Sequence, residues 1–212
     1  KIGMADPSAA ARRRGARLGC RVMADAYEAA RQAETILLAV KPQKVEEVAT
    51  VIWPAVRGKR VISILAGATR SRLRRLLPGA RIVRVMPNTP LLAGQGAIVI
   101  ARDGVSPRDL RYAVRLFSPM GKVWVAPEKW MNAVTALSGS GPALFCAFLE
   151  AGVAAASSCG LPARLSEELA VQTLAGTARL LKNGRRLSPR ALREMVTSPG
   201  GTTEAALNVF AR

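Results

Sequence analysis

Several short segments carry the residues able to do chemistry. Ala39-Val40-Lys41-Pro42 sets an ammonium at the end of the apolar run Thr35-Ile36-Leu37-Leu38-Ala39-Val40. In an open α/β sheet, ligands sit outside the carboxyl ends of the strands, so this placement suits a polar or anionic ligand. An ordinary strand-to-helix turn fits the same residues equally well. Leu65-Ala66-Gly67 closes a second apolar run, and glycine there permits close approach of a ligand to the backbone. Val85-Met86-Pro87-Asn88-Thr89-Pro90 closes a third, with two prolines stiffening the loop and holding the Asn88 amide in place. Leu137-Ser138-Gly139-Ser140-Gly141-Pro142-Ala143 follows a helical pattern and lacks the third glycine of a dinucleotide fingerprint. It reads instead as a flexible loop feeding a helix whose free amides face a ligand. Finally, Val196-Thr197-Ser198-Pro199-Gly200-Gly201-Thr202-Thr203 forms a tight turn with exposed amides, and Thr202 or Thr203 then caps a helix starting near Glu204. Hydroxyls and amides at a positive helix end suit a small carboxylate.

What is absent narrows the chemistry further. The chain has no histidine, which removes Ser-His-Asp and Cys-His hydrolases. Cys20, Cys146 and Cys159 are widely spaced and form no Cys-x-x-Cys pair, so reduced, buried thiols in a cytoplasmic protein are expected, with neither a disulfide framework nor a metal site. No run of eighteen residues is free of charge, Gly and Pro, so no membrane-spanning helix is expected, and no signal peptide is recognised.

The elements that must hold these segments follow from hydrophobic patterning. Val61 to Leu65, Arg81 to Met86, Ala97 to Ile100 and Lys122 to Val125 continue the series of short apolar strands. Helical stretches lie between them: Pro42 to Trp53, Thr69 to Leu77, and Ser106 to Phe117 with Ser106 as N-cap. Strands buried on both faces and separated by helices imply an α/β fold, a Rossmann-like, mostly parallel doubly wound sheet. From about Glu128 strand signals vanish, and Ala, Leu and Val recur at helical spacing from Pro142 to Cys159 and from Pro162 to Leu181. The expected division is a dinucleotide-binding domain over 1–127 and an all-α domain over 128–212. The start is irregular: Lys1-Ile2-Gly3 opens a strand, yet Met4-Ala5-Asp6-Pro7 reads as the end of a different strand followed by a helix to Leu18. A glycine-rich loop expected after Gly3 is missing.

The formal charge is +18, from 32 cations and 14 anions among 212 residues. Tight clusters occur at Arg12-Arg13-Arg14 and at Arg70, Arg72, Arg74 and Arg75, both on stretches that read as exposed helix. Few aromatics are available to stack on bases, so a solvated surface is favoured over nucleic-acid binding.

Taken in order, Ala39 to Pro42, Val85 to Pro90, Thr135 to Ala143, Gly160-Leu161-Pro162 and Thr197 to Thr203 resemble the pyrroline-5-carboxylate reductase family over almost the whole chain. The resemblance implies a helical domain that dimerises by intertwining, with rings of dimers as a further assembly. It implies hydride transfer from a reduced nicotinamide to the C=N bond of 1-pyrroline-5-carboxylate, giving proline. By it, Ala39, Val40, Lys41, Pro42, Ala66 and Gly67 line the nicotinamide half of the cofactor site. Asn88 and Ser138, Gly139, Ser140 and Gly141 shape the substrate pocket. Val196, Ser198, Gly201, Thr202 and Thr203 hold the substrate carboxylate and ring from the partner subunit, with Thr203 beside the imine. Asp6 falls where an acidic residue reads a ribose hydroxyl, as for NADH, while Ser8 and the Arg12 to Arg14 cluster can receive the 2′-phosphate of NADPH. NADPH is preferred on the local positive charge. Neither nucleic acid nor a membrane is an expected partner. The competing readings are a β-hydroxyacid-dehydrogenase-like oxidoreductase, for which Lys182 would have to be the catalytic lysine, and an inactive basic binding protein with the same fold.

Overall fold

The computed structural model describes residues 2–183 and 187–210. Lys1 and the Gly184-Arg185-Arg186 part of the expected helix end after Lys182 lie outside them, as do Ala211 and Arg212. The chain divides into two compact units, Lys1–Ala143 and Leu144–Arg212.

The first unit opens with β1 (Gly3–Met4), α1 (Ala9–Arg17) and β2 (Arg21–Val22), the two strands pairing in parallel. The Arg21 N–H donates to the Ile2 carbonyl at 2.9 Å and the Met23 N–H to that of Met4 at 2.8 Å, so residues 2–4 form one strand in unbroken register. That differs from the expectation of two strand fragments meeting at Met4. The strand passes through Asp6-Pro7 to Ser8, whose hydroxyl accepts from the Ala11 N–H and caps α1.

After α2 (Ala26–Gln32), five strands form the main sheet: β3 (Thr35–Leu38), β4 (Arg60–Ser63), β5 (Arg81–Met86), β6 (Gly96–Ala101) and β7 (Gly121–Ala126), paired in that order. Helices α3 (Val45–Ile52), α4 (Arg70–Leu76) and α5 (Pro107–Phe117) make the crossovers, with Thr69 and Ser106 capping the last two through their hydroxyls. β3, β4 and β5 run parallel, as do β6 and β7, whereas β5 and β6 are antiparallel. The reversal has a plain cause. Only the short 3₁₀ turn Thr89–Ala93 joins β5 to β6, too little chain for a crossover helix. The sheet is Rossmann-like and buried on both faces. Val61 and Ile82 pack towards α3 and α4, while Ile62, Val83, Val85, Ile98 and Ile100 pack towards α5.

An ion-pair network ties the sheet to α5. Arg60 lies 2.7 Å from the buried Asp109 carboxylate, Arg81 is 3.1 Å from its other oxygen, and the Ser106 hydroxyl donates to it at 2.9 Å. Burial pushes the Asp109 carboxyl up, but the bonds from Ser106 and Arg60, with the charges of Arg60 and Arg81, outweigh it and leave it below its ordinary value. A carboxyl depressed in the folded state adds stability above its unfolded pKa of about 3.9 and loses it as pH falls through the folded value. Asp109→Asn should therefore lower unfolding free energy by about 2 kcal/mol at neutral pH, the scale of hydrogen bonds to a charged group. In denaturant titrations the gap to the parent should close as pH drops below 4.

Past β7, a 3₁₀ turn (Glu128–Trp130), α6 (Met131–Val134) and a π turn (Thr135–Gly139) lead into α7 (Gly141–Ser158). Contrary to expectation, the helical stretch Glu128–Ser158 is long and apolar enough to cross a membrane by length and composition, and almost none of it is buried within one chain. The second unit continues with α8 (Ala163–Asn183), α9 (Pro189–Met195) and α10 (Thr202–Phe210). Among its described residues Ser166 alone is buried, while Leu144, Phe145, Leu169 and Leu180 are all more than half or nearly half exposed. Among the described residues this unit has no buried apolar side chain. The expected buried thiols are likewise corrected: Cys146 and Cys159 are exposed and Cys20 half-buried, Cys146 because it lies on α7, whose apolar residues are largely uncovered among the described residues.

Candidate active site

Register alone gathers three of the predicted segments. Leu38 pairs with Ser63, and Ser63 with Arg84, so Pro42, Gly67 and Asn88 each lie four residues beyond a paired position on adjacent parallel strands. All three segments leave the same edge of the sheet. At that edge the amides of Val40, Lys41, Ala66 and Gly67 make no backbone hydrogen bond among the described residues. The exposed Lys41 ammonium has no partner among them either. Gly67 has φ +71°, and a side chain there would meet nothing within 4 Å, so the backbone faces open space. Unpaired amides, a lone cation and an open glycine match the carboxamide and phosphate groups of a nicotinamide dinucleotide.

Asp6 sits at the end of β1. One of its carboxylate oxygens accepts from the Ser8 N–H at 2.8 Å, and Arg12 folds back to donate to the carbonyls of Asp6 and Pro7 at 2.8 and 2.9 Å. The acidic side chain is thus occupied locally and a guanidinium lies against the same turn.

Asn88 is oriented by its oxygen, which accepts the Ala97 N–H at 2.8 Å. Its Nδ2 group is left to donate. Ser138 to Gly141 is not the flexible loop expected. The Ser140 N–H bonds to the Thr135 carbonyl at 2.8 Å, closing a π turn, and the Thr135 and Ser138 hydroxyls donate to the Met131 and Val134 carbonyls at 2.7 and 2.9 Å. The physical reason is packing: a Cβ on Gly139 would lie 2.6 Å from Met86 Cε, so the turn seats its backbone on β5. Such π turns occur frequently at functional sites.

In the second unit, α9 ends at the turn formed by Val196 to Gly201, with Gly200 at φ +71°. The Gly201 N–H bonds to the Ser198 carbonyl at 3.0 Å, and the Glu204 carboxylate accepts from the Gly200 N–H at 2.8 Å. The Ala205 N–H reaches the Gly201 carbonyl, so α10 begins at Thr202 rather than near Glu204. Neither threonine is the cap, because Gly201 occupies that place and Glu204 reaches back across the turn. Thr203 is half-buried, and its hydroxyl has no partner among the described residues. Val196 and Ser198 are exposed. Lys182 is an exposed residue near the end of α8.

The sequence reading missed one functional-looking pair. Arg84 stands between Val83 and Val85 on a strand buried on both faces, and it is itself only 2% exposed. Its partner is Glu128, at 3.3 Å. A charge inside an apolar strand demands a counter-charge, which was the available signal. Among the described residues no cluster of His, Cys, Asp and Glu could hold a metal ion.

Comparison with known proteins bears on both units. Residues 128–212 match the family model for pyrroline-5-carboxylate reductase dimerisation, and residues 2–67 match that for NADP oxidoreductase, coenzyme F420-dependent. The chain is 42% identical to a pyrroline-5-carboxylate reductase of Synechocystis over 90% of its own length and 71% of the relative's. It is 43% identical to that of Haemophilus influenzae, covering 84% of this chain and 68% of the relative. Among solved structures, the Plasmodium falciparum pyrroline carboxylate reductase with NADP bound superposes with a TM-score of 0.85 at 32% identity, over 91% of this chain and 74% of that one. The Streptococcus pyogenes 1-pyrroline-5-carboxylate reductase does so with a TM-score of 0.90 at 27% identity, over 100% and 82%.

Proposed function

The chain belongs to the pyrroline-5-carboxylate reductase family, and from that premise we propose that it reduces 1-pyrroline-5-carboxylate to L-proline with NAD(P)H. A reduced nicotinamide bound there would supply the hydride that the ring carbon of the C=N bond takes up, the proton on the ring nitrogen coming from solvent. The chain's own residues do the rest. The free amides of Val40, Lys41, Ala66 and Gly67 hold the nicotinamide end at the strand edge, with Ala39 and Pro42 lining it. Asn88 offers its Nδ2 donors to the substrate, and Ser138 to Gly141 close over the ring. Val196, Ser198, Gly201 and Thr202 of the partner subunit hold the carboxylate at the start of its α10. The partner subunit's Thr203 donates a hydrogen bond to the imine nitrogen, where electron density rises as hydride arrives. The observation that carries this reading is Thr203, a half-buried residue at a helix start whose hydroxyl has no partner among the described residues. Holding two reactants in line supplies most of the catalysis such a hydride transfer needs, which accounts for the absence of histidine.

We place residues 1–127 as the dinucleotide-binding part and 128–212 as the substrate and dimerisation part, and the protein in the cytoplasm. The protein is a homodimer acting on a small molecule. A ring of such dimers is the expected higher assembly. A β-hydroxyacid dehydrogenase would need Lys182 to be catalytic, and that residue lies exposed at a helix end. Following NAD(P)H absorbance with 1-pyrroline-5-carboxylate tests the reading directly: turnover supports it, and a purified dimer that consumes no cofactor would overturn it.

Cofactor choice gives a separate prediction. Asp6 accepts the Ser8 N–H through one oxygen, and the Arg12 guanidinium lies against the same turn, so a 2′-phosphate there has a positive charge to meet. A hydrogen bond to a charged group contributes about 1.5–3 kcal/mol, so kcat/KM should favour NADPH by roughly tenfold or more. Equal or better kcat/KM with NADH would refute this.

A further inference from the structure

We infer that the ion pair between the buried Arg84 and the half-buried Glu128 is a positioning latch, setting the π turn that carries Ser138 to Gly141 at its working place against the end of β5. The inference rests on the proposed reductase reading for what that turn does, though not for its geometry.

Glu128 begins the helical stretch that leaves β7. One carboxylate oxygen takes both the Arg84 guanidinium, at 3.3 Å, and the Arg70 N–H at the start of α4, at 2.6 Å. The Glu128 N–H donates in turn to Asp103. A single residue thereby joins β5, α4 and the loop after β6 to the first turn of the new helix. From this anchor the helix runs over the sheet. Met131 is fully buried and packs with Met86, Val99 and Ala126, and Val134 joins them. Gly139 then sits directly on Met86. Along β5 the alternation of a strand puts Arg84 and Met86 on one face, and Asn88 follows in the loop just beyond the strand. The helix therefore touches β5 at two points, Glu128 on Arg84 and Gly139 on Met86, and the second lies two residues from Asn88.

Stability alone is a poor account of this pair. A buried ion pair is often no better than an apolar replacement, and here Arg84 leaves Nε and Nη2 without hydrogen-bond partners. A well-packed methionine would serve the core better. What an apolar contact cannot provide is direction. The carboxylate accepts from two elements at once, which fixes both the rotation and the height of the helix on the sheet. Sliding by one residue would break both bonds. Glu128 also holds the Arg70 N–H, three residues beyond Gly67, but an amide at position 128 keeps an acceptor for that bond. Loss of the charge alone should therefore govern substrate contacts and leave cofactor contacts nearly unchanged.

The test uses the full dimer. Glu128→Gln preserves size and an acceptor for Arg70 while removing the charge that holds Arg84. We expect KM for 1-pyrroline-5-carboxylate to rise about tenfold, corresponding to 1.4 kcal/mol, with KM for NADPH within twofold of the parent. Amide hydrogen exchange should quicken in residues 131–141 and stay unchanged in β3 and β4. Arg84→Met, which fills the same space without charge, should reproduce the substrate effect, at a lowered melting temperature because Glu128 is left without its counter-charge. The double variant should be no worse than either single one, as expected for residues acting through one contact. A merely structural pair would instead lower melting temperature and active fraction while leaving both KM values and the local exchange unaltered. That outcome, or an equal rise in both KM values, would overturn the latch. Failure of the parent to turn over the substrate would overturn the reductase reading instead, while exchange in 131–141 would still report on the latch.

Discussion

Replacing Thr203 with alanine should lower kcat by roughly 10²-fold, the contribution of a well-placed proton or hydrogen-bond donor, with little loss of stability. A cyclic imine accepts hydride readily only when its nitrogen is protonated or strongly hydrogen-bonded. The chain has no histidine, and among the described residues no metal cluster, to serve that need. Capping is excluded as the main duty of Thr203, because α10 starts one residue earlier and Gly201 precedes it. A lost cap would cost about 1 kcal/mol of stability and leave turnover unchanged. Here the expected pattern is the reverse, with melting temperature near that of the parent and turnover greatly reduced. Thr203→Ser keeps the hydroxyl and should keep most of the activity. An alanine variant that dimerises and turns over within a few-fold of the parent would remove Thr203 from the chemistry.

A charge placed on α7 should separate the subunits and abolish turnover. Phe145 is 57% exposed and Leu144 65% in one chain, on a unit whose only buried described residue is Ser166. Helices that apolar cannot remain in water, and the family model matched by residues 128–212 is a dimerisation domain. The interface should belong to the obligate class, above about 2,000 Å² in total. Phe145→Asp would put an uncompensated carboxylate into that interface, costing several kcal/mol per buried ion. In light scattering at micromolar concentration, without detergent, the parent should be dimeric or a multiple of the dimer. The variant should be monomeric or aggregated, with activity reduced more than 10²-fold, roughly the loss of one oriented reactant contact. A parent that is monomeric, or that needs detergent to stay dispersed, would contradict the dimer as the cover for α7.

How far the sequence could carry the argument depended on the range of the interaction concerned. The strands were legible because burial on both faces leaves continuous apolar runs such as Val61 to Leu65, and the caps were legible because Ser106 and Thr69 act on amides within three residues. The family resemblance was legible in the same way, from contiguous motifs. Local hydrogen bonding, by contrast, was misjudged where tertiary packing intervened. Ser138-Gly139-Ser140-Gly141 has the composition of a loop, yet Met86 beneath Gly139 draws it into a π turn. Thr202 and Thr203 have the composition of caps, yet Glu204 reaching back to Gly200 relieves them of that role. The antiparallel turn between β5 and β6 depends on the length of a connection, which a run of strand signals does not display.

The sequence by itself determined the fold class, the main strands with their crossover helices and the candidate chemistry at the strand ends, because each rests on contacts within a few residues or on a motif read in one stretch. Only the tertiary structure decided which charges must face each other. Arg84 lies 44 positions from Glu128 and Arg60 lies 49 from Asp109. Burial makes each of those charges intolerable alone, but it is the folding of the sheet that brings its partner within reach.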